Sequence, residues 1–280
     1  LLQFAQTHKI PCYGIEPTHS TAMAARQKGI DIVEDFFGVD LANDLKTQGR
    51  QADLMIANNV LAHVPNINDF VRGFSILLNE KGVATFEFPH LLNLVIKKQF
   101  DTIYHEHYSY LSLVSVKSIF EANGLDIFDV EELPTHGGSL RIYAQRSDIK
   151  NHVVSDAVGD IYEKEVKHKV NTLDFYKDFQ KTSEDIKFGL LSFLIEARLN
   201  GQKVIAYGAA AKGNTIMNFS GIRSDLICFV VDKNPNKSGK FMPGSHIPIV
   251  DEAIIRKEKP EYIIILPWNL KDEIENQLSY

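Results

Sequence analysis

Apolar runs along this chain alternate with stretches whose apolar residues recur every three or four positions. That alternation predicts strands joined by helices, and so a largely parallel sheet. Residues 10–17, IPCYGIEP, read as a buried strand that closes on an acid and a proline. Residues 18–29, THSTAMAARQKG, read as a helix that Thr18 or Ser20 can cap and Gly29 can end. DIVEDFF (31–37) supplies a short strand and turn, and ADLMIANNVLAHV (52–64) opens as a buried strand before turning polar at Asn58 and Asn59. Apolar positions 67, 70, 71, 74, 77 and 78 share one face of a helix over 66–82. VATFEFP (83–89) is the next buried strand.

The order then changes. LSLVSVKSIFEANG (111–124) reads as a helix closed by Gly124, and LDIFDVEEL (125–133) and SLRIYAQ (139–145) as strands joined only by PTHGG. So short a connection requires an antiparallel pair. A parallel sheet that finishes in an antiparallel hairpin departs from the six-parallel-strand dinucleotide fold and suits the sheet of Rossmann-like methyltransferases. Residues 150–200 are helical and charged, as one or two long connecting helices. A second α/β unit follows: KVIAYGAAAKGNTIMNF (203–219) as strand, Gly/Ala-rich turn and helix, then strands DLICFVVD (225–232) and EYIIILPW (261–268). The expected fold class is α/β, a methyltransferase-type sheet followed by a smaller Rossmann-like domain. The division falls at residue 148, giving domains 1–148 and 149–280.

Composition narrows the function classes. The 280 residues are 44% hydrophobic and 24% charged, which suits a globular protein. The formal charge is −6 and no basic stripe stands out, which argues against a nucleic-acid partner. No apolar run nears the roughly 20 residues of a membrane helix. The only cysteines, Cys12 and Cys228, fit a reducing, cytoplasmic compartment better than a disulfide scaffold. The start, LLQFAQTHKI, is not a signal peptide and reads like the middle of a helix, so a segment is expected upstream.

Candidate chemistry gathers at strand ends, where open parallel sheets bind ligands. Three ends in the first half are polar: Glu16, Asn58–Asn59, and Glu87-Phe88-Pro89-His90. Glu16 has two readings, an acid that accepts from both ribose hydroxyls or an acid that leads a helix and is favoured by its dipole. The company of the other two ends favours the ribose. The Gly-rich cofactor loop that a Rossmann-type site needs is absent, and is expected immediately upstream.

FDTIYHEHYSY (100–110) packs two histidines, three tyrosines and two acids into eleven residues. A metal reading uses His105, Glu106 and His107 with His63 or His90, but no CxxC or HExxH pattern supports it. A structural loop is the plain alternative. The preferred reading is acid–base chemistry: a histidine base, Glu106 to orient it, and tyrosine hydroxyls to stabilise developing negative charge. In the second half, backbone amides of GAAAKGN (208–214) and the cation of Lys212 could hold a phosphate, or the turn simply needs small residues. Asp232 ends the following strand, Arg141 and His136-Gly137-Gly138 offer further donors, and Trp268-Asn269 could stack on a base or fill core.

The segments GIEP, NNVLAHVPN, EFPHLLNL, FDTIYHEHYSYLS, THGGSLR, YGAAAKGNT, VDKNPNKSGKFMPGSHIPI and LPWNL together resemble the sugar C-methyltransferases. These S-adenosylmethionine-dependent enzymes methylate C3 of a nucleotide-linked 4-keto deoxysugar. The resemblance spans nearly the whole chain. It implies three parts in full-length members, and this chain lacks the first, a zinc-binding domain, so zinc is expected only there. It implies His107 as base, with Tyr104, Glu106 and His63 as companions, and Glu16 as the ribose acid beside Asn58, Asn59 and Pro89. It implies that His90, Arg141, Lys212, Asn214 and Asp232 hold the nucleotide sugar. No metal is implied at the reacting centre. Two other functions remain on the sequence: an NAD-dependent sugar oxidoreductase, and a non-catalytic nucleotide-sugar binding module.

Overall fold

Helix and strand alternate as the pattern predicts in the computed structural model, which describes residues 1–279. The first half runs α1 (Leu2–Thr7), β1 (Gly14–Ile15), α2 (His19–Gln27), β2 (Ile32–Val33), α3 (Val39–Thr47), β3 (Ala52–Asn58), α4 (Ile67–Leu77), β4 (Leu78–Pro89), α5 (Leu91–Ile96), α6 (Leu113–Ala122), β5 (Leu125–Leu133) and β6 (Ser139–Arg146). The second half adds α7 (Asp156–Lys167), α8 (Phe179–Leu199), β7 (Val204–Tyr207), α9 (Ala211–Ser220), β8 (Val230–Val231), β9 (Ile249–Val250), α10 (Ile254–Glu258), β10 (Tyr262–Ile265) and α11 (Lys271–Gln277).

Three sheets form. β1 pairs with β2 in parallel. A four-stranded sheet runs β3-β4-β6-β5, with β3 parallel to β4 through pairs such as Ile56↔Thr85 and Asn58↔Glu87. β5 and β6 are neighbours across a five-residue connection, which only an antiparallel pair allows. The third sheet, β10-β7-β8-β9, is parallel throughout. The class is therefore α/β with a mixed sheet and a parallel one.

Several strands are shorter or more open than expected. Of residues 10–17 only Gly14 and Ile15 are strand, and none of the eight is buried. Pro11 and Pro17 lack the N–H that a ladder needs, which confines pairing to the middle. Residues 225–232 yield only Val230 and Val231. β3 is exposed at Leu54 and Ile56 rather than buried on both faces. The helix expected over 66–82 stops at Leu77, where Leu78 turns extended (ψ 133°) and opens β4.

Packing divides the chain into two compact units that interleave in sequence. The first comprises Leu1–Phe88, Leu113–Glu131 and Leu140–Glu163. The second comprises Pro89–Ser112, Glu132–Ser139 and everything from Lys164. The FDTIYHEHYSY stretch thus packs in the second unit.

In the first unit α4 buries Phe70, Val71, Phe74 and Leu77, the face its spacing marked. Phe74 meets Phe86 of β4 at 4.5 Å between ring centroids, and Phe86 meets Phe120 of α6 at 4.8 Å. α4 starts at Asn66, whose side chain accepts from the Asp69 amide at 3.1 Å. Asn66→Ala leaves that amide without its cap and lowers stability by about 1 kcal/mol; an unchanged urea midpoint would count against the cap.

In the second unit the parallel sheet is covered on both faces. Val204, Ala206 and Val230 pack with Leu194, Ala197 and Met217. The intervening Ile205, Tyr207 and Val231 pack with Ile255 and Ile274. Alternate residues face opposite sides of a strand, so a strand buried on both sides reads as a continuous apolar run.

Candidate active site

The chain leaves α5 and makes a tight 3₁₀ turn over Phe100–Thr102 before the YHEH residues. Asp101 and Thr102 in that turn are buried, whereas His105 and Glu106 are exposed and Tyr104, His107 and Tyr110 are half-buried. The His107 amide donates to the Tyr104 carbonyl at 3.0 Å, which curls the loop back on itself. The Tyr104 and His107 rings lie 4.3 Å apart, and Tyr110 meets His107 edge-on at 5.9 Å.

His107 Nδ1 lies 3.0 Å from the Thr102 carbonyl oxygen. A carbonyl only accepts, so Nδ1 carries the hydrogen and the neutral ring keeps its lone pair on Nε2. The backbone therefore selects the tautomer in which Nε2 is a base. Burial raises the Tyr104 phenol above its ordinary pKa, reinforced by the charge of Glu106 and then by Tyr110 and Asp101. Tyr110 is also raised, again by burial. Both phenols keep their hydrogens at neutral pH and can donate to a developing oxyanion.

Beneath this loop the second unit has a cavity of about 840 Å³. Its wall includes Asn93, Gln99, Asp101, Gly137, Trp268 and Asn269. Asp101 Oδ2 accepts from the indole Nε1 of Trp268 at 2.7 Å. Burial pushes the Asp101 carboxyl above its ordinary range, while Trp268 and the charge of Lys212 pull it back. Burial lowers Lys212, with Asp101 opposing. The Lys212 ammonium sits 4.3 Å over the Trp268 ring and donates to Asn269 Oδ1 at 2.8 Å.

The GAAAKGN turn differs from an open phosphate cradle. The Gly208 amide donates to the Val231 carbonyl at 2.7 Å, and the Ala209 amide to Asp232 Oδ2 at 2.8 Å. The Ala210 amide turns back to the Gly208 carbonyl. Lys237 bonds both Asp232 Oδ2 (3.1 Å) and the Ala209 carbonyl (2.7 Å). Asp232 thus fills the amide nest with the protein's own carboxylate. Gly208 has φ +94°, and a Cβ there would run into the Pro267 ring, so packing alone requires the glycine. Asn214 lies on α9, where Asn218 donates to its carbonyl and side-chain oxygens.

In the first unit Glu16 directly follows β1, and its Oε1 accepts from the Thr18 amide at 2.8 Å at the head of α2. That bond uses one carboxylate oxygen. Asn58 and Asn59 are exposed at the end of β3. Asn59 adopts φ +55°, a conformation asparagine tolerates, and its amide donates to the Glu87 carbonyl at 2.7 Å. His63 lies in the 3₁₀ turn that follows. Arg141 Nη2 donates to the buried Glu87 at 2.8 Å, with Glu131 at 3.5 Å on its other side.

Pro89 closes β4 and, with His90 after it, belongs to the second unit. The sequence reading places His90 with the substrate, but its ring is fully enclosed. Its Nε2 meets Glu165 Oε1 at 2.7 Å, and neither side chain has exposed surface. Asn93 approaches Nδ1 at 3.4 Å. A carboxylate and an amide N–H thus satisfy the two ring nitrogens, which gives His90 a structural use. Glu165, Asp101 and Thr102 escape a sequence reading because their partners lie elsewhere in the fold or on the backbone. The one visible signal is an acid wedged between Phe100 and Thr102. Among the described residues, no three His, Cys, Asp or Glu side chains are grouped to hold a metal ion.

Comparison with known proteins agrees along the chain. Residues 1–130 match a methyltransferase domain family, and residues 134–280 match the C-methyltransferase C-terminal domain family. C-methyltransferase NovU of Streptomyces niveus is 31% identical over 261 residues, which is 93% of this chain and 62% of that protein. The chain thus spans under two thirds of that relative's length. Among solved structures, magnesium protoporphyrin IX methyltransferase of Synechocystis PCC 6803 with bound SAH aligns at TM-score 0.37 and 19% identity, over 48% of this chain and 64% of that one. A possible histamine N-methyltransferase of Thermotoga maritima aligns at TM-score 0.39 and 16% identity, over 51% and 76%.

Proposed function

We propose, for a chain that belongs to the C-methyltransferase family by the match of its C-terminal domain, that it methylates carbon 3 of a nucleotide-linked 4-keto deoxysugar with S-adenosylmethionine. The observation that carries this reading is the 3.0 Å contact from His107 Nδ1 to the Thr102 carbonyl, which presents Nε2 as a base. A C–H bond beside a ketone is acidic enough for a positioned imidazole. Nε2 takes the carbon-3 proton, and the electron pair moves onto the keto oxygen. Tyr104 donates its retained hydrogen to that oxygen. Burial, reinforced by the charge of Glu106, raises the Tyr104 pKa and so keeps the donor protonated.

The groups in the first unit fit the cofactor's polar end. Glu16 retains one carboxylate oxygen for a ribose, and Asn58 and Asn59 are exposed at the end of β3. When bound, S-adenosylmethionine would supply an electrophilic methyl group on a positively charged sulfur, which leaves as neutral S-adenosylhomocysteine when its bond to the methyl breaks. In this reading residues 1–148 carry the transfer chemistry. Residues 149–280, with Lys212 and Asn214, hold the sugar nucleotide. Asp232 contributes by shaping the 208–210 turn. That filled nest also weighs against dinucleotide binding by the second unit, since the Gly208, Ala209 and Ala210 amides already have acceptors within the protein.

Titration calorimetry with S-adenosylhomocysteine tests the cofactor half. Glu16→Ala is expected to weaken binding roughly 10–100-fold, because a hydrogen bond to a charged group is worth about 1.5–3 kcal/mol. Equal affinity in the two proteins would remove Glu16 from the ribose.

A further inference from the structure

Three short turns of the second unit meet at one side chain. They are Phe100–Thr102 ahead of the YHEH loop, Thr135–Gly137 between β5 and β6, and Trp268–Leu270 after β10. The side chain is Trp268, the only tryptophan in the chain. It lies 167 positions from Asp101, to which its indole donates.

One face and two edges of the indole are engaged. Nε1 holds Asp101, and one ring face carries the Lys212 ammonium. The far edge packs so closely on Gly137 that a Cβ there would overlap the ring. Gly137 adopts φ +88°, and its carbonyl accepts from both Lys97 Nζ (2.9 Å) and Gln99 Nε2 (3.0 Å). These bonds tie Gly137 to Lys97 and Gln99, four and two positions before Asp101. A base could not lie on the ring face that Lys212 occupies.

We propose that Trp268 is a positioning residue for His107, which rests on the reading of His107 as the base. The path is short and continuous. Trp268 holds the Asp101 carboxylate, Asp101 is bonded through the chain to Thr102, and the Thr102 carbonyl sets the His107 tautomer. Further support comes from the Phe100 ring, which packs 5.2 Å from Phe219 of α9. The turn is thus pinned at two residues just ahead of the peptide that directs His107. Trp268 touches no reacting atom. Its effect is on where Nε2 points, and a displacement of about 1 Å in such a group can cost about 10²-fold in rate.

The test uses Trp268→Phe, which keeps a ring against Gly137 and removes the N–H donor. Asp101→Ala and Asp101→Asn accompany it, the latter retaining a side-chain oxygen for the indole. The decisive readout is the ¹⁵N signal of the His107 ring, which reports the tautomer without any substrate. In the unaltered protein it should show Nδ1–H. In Trp268→Phe and Asp101→Ala it should move toward a mixture, and Asp101→Asn should restore it. Where methyl transfer is measurable, kcat should fall by up to about 10²-fold with KM for S-adenosylmethionine unchanged. A tautomer shift in a protein without methyl transfer supports the positioning and sinks the proposed function. An unmoved His107 signal in both Trp268→Phe and Asp101→Ala overturns the positioning, whatever the activity.

Discussion

His107→Asn lowers methyl transfer by about 10²–10⁴-fold, the contribution of a positioned general base. Asparagine is the informative replacement. Its side-chain N–H can still reach the Thr102 carbonyl that now holds Nδ1 at 3.0 Å, so the loop keeps its internal bond. What disappears is the lone pair on Nε2. The half-buried ring is flanked by Tyr104 and Tyr110, and the substitution disturbs neither core nor sheet. Circular dichroism and the thermal midpoint should therefore stay close to those of the parent. Two measurements separate base loss from misfolding: methyl transfer from labelled S-adenosylmethionine, and deuterium exchange at sugar carbon 3 without the methyl donor. Both should fall together. Activity within a few-fold of the parent would leave His107 as a packing residue and end its role as base.

The second large effect concerns stability. His90→Ala should cost about 3–5 kcal/mol, the range for removing one partner of a fully buried pair. The imidazole and the Glu165 carboxylate are both without exposed surface, so no water stands by to replace the lost donor. The pair also ties the start of α5 to α7, two elements 75 residues apart in sequence. Glu165→Gln removes the charge while keeping an oxygen for the Nε2 hydrogen, and should cost much less. Urea unfolding of the three proteins gives the comparison. A loss below about 1 kcal/mol for His90→Ala would place the contact among ordinary exposed pairs and refute the buried-pair account.

Some of this was legible in the sequence because it repeats locally. The apolar face of α4 follows from the spacing of Phe70, Val71, Phe74 and Leu77, and burial confirms it. The hairpin β5–β6 follows from the length of PTHGG, since five residues cannot carry a crossover. Two helices occupy much of 150–200, as charge and the scarcity of glycine suggested. Extents were harder. Val230 and Val231 sit inside a six-residue apolar run, 226–231, but only these two pair with both neighbours, because β9 offers only Ile249 and Val250 on its side. Composition marks a residue as suited to a strand, and the partner's length decides how much becomes one.

At the candidate site the residue types were legible and their partners were not. A histidine-rich loop announces itself, yet the group that sets His107 is a main-chain carbonyl, which no side-chain pattern encodes. Trp268 and Asp101 meet only through folding. His90 reads as a strand-end ligand until Glu165 is found against it. Asp232 likewise reads as a ligand-binding acid, but Ala209 and Lys237 already hold it.

The Thr102 carbonyl also governs proton traffic in the reaction proposed here. With Nδ1 committed to it, the imidazole has a single entrance and exit for hydrogen, Nε2. A hydrogen lifted from the sugar waits on the nitrogen that faces the carbon it left. Return to that carbon then competes with escape to water, and a slow methylation step favours return. Label placed at carbon 3 is therefore conserved in recovered sugar beyond what free exchange with solvent allows. The backbone bond that makes the ring a base also makes it a conservative one.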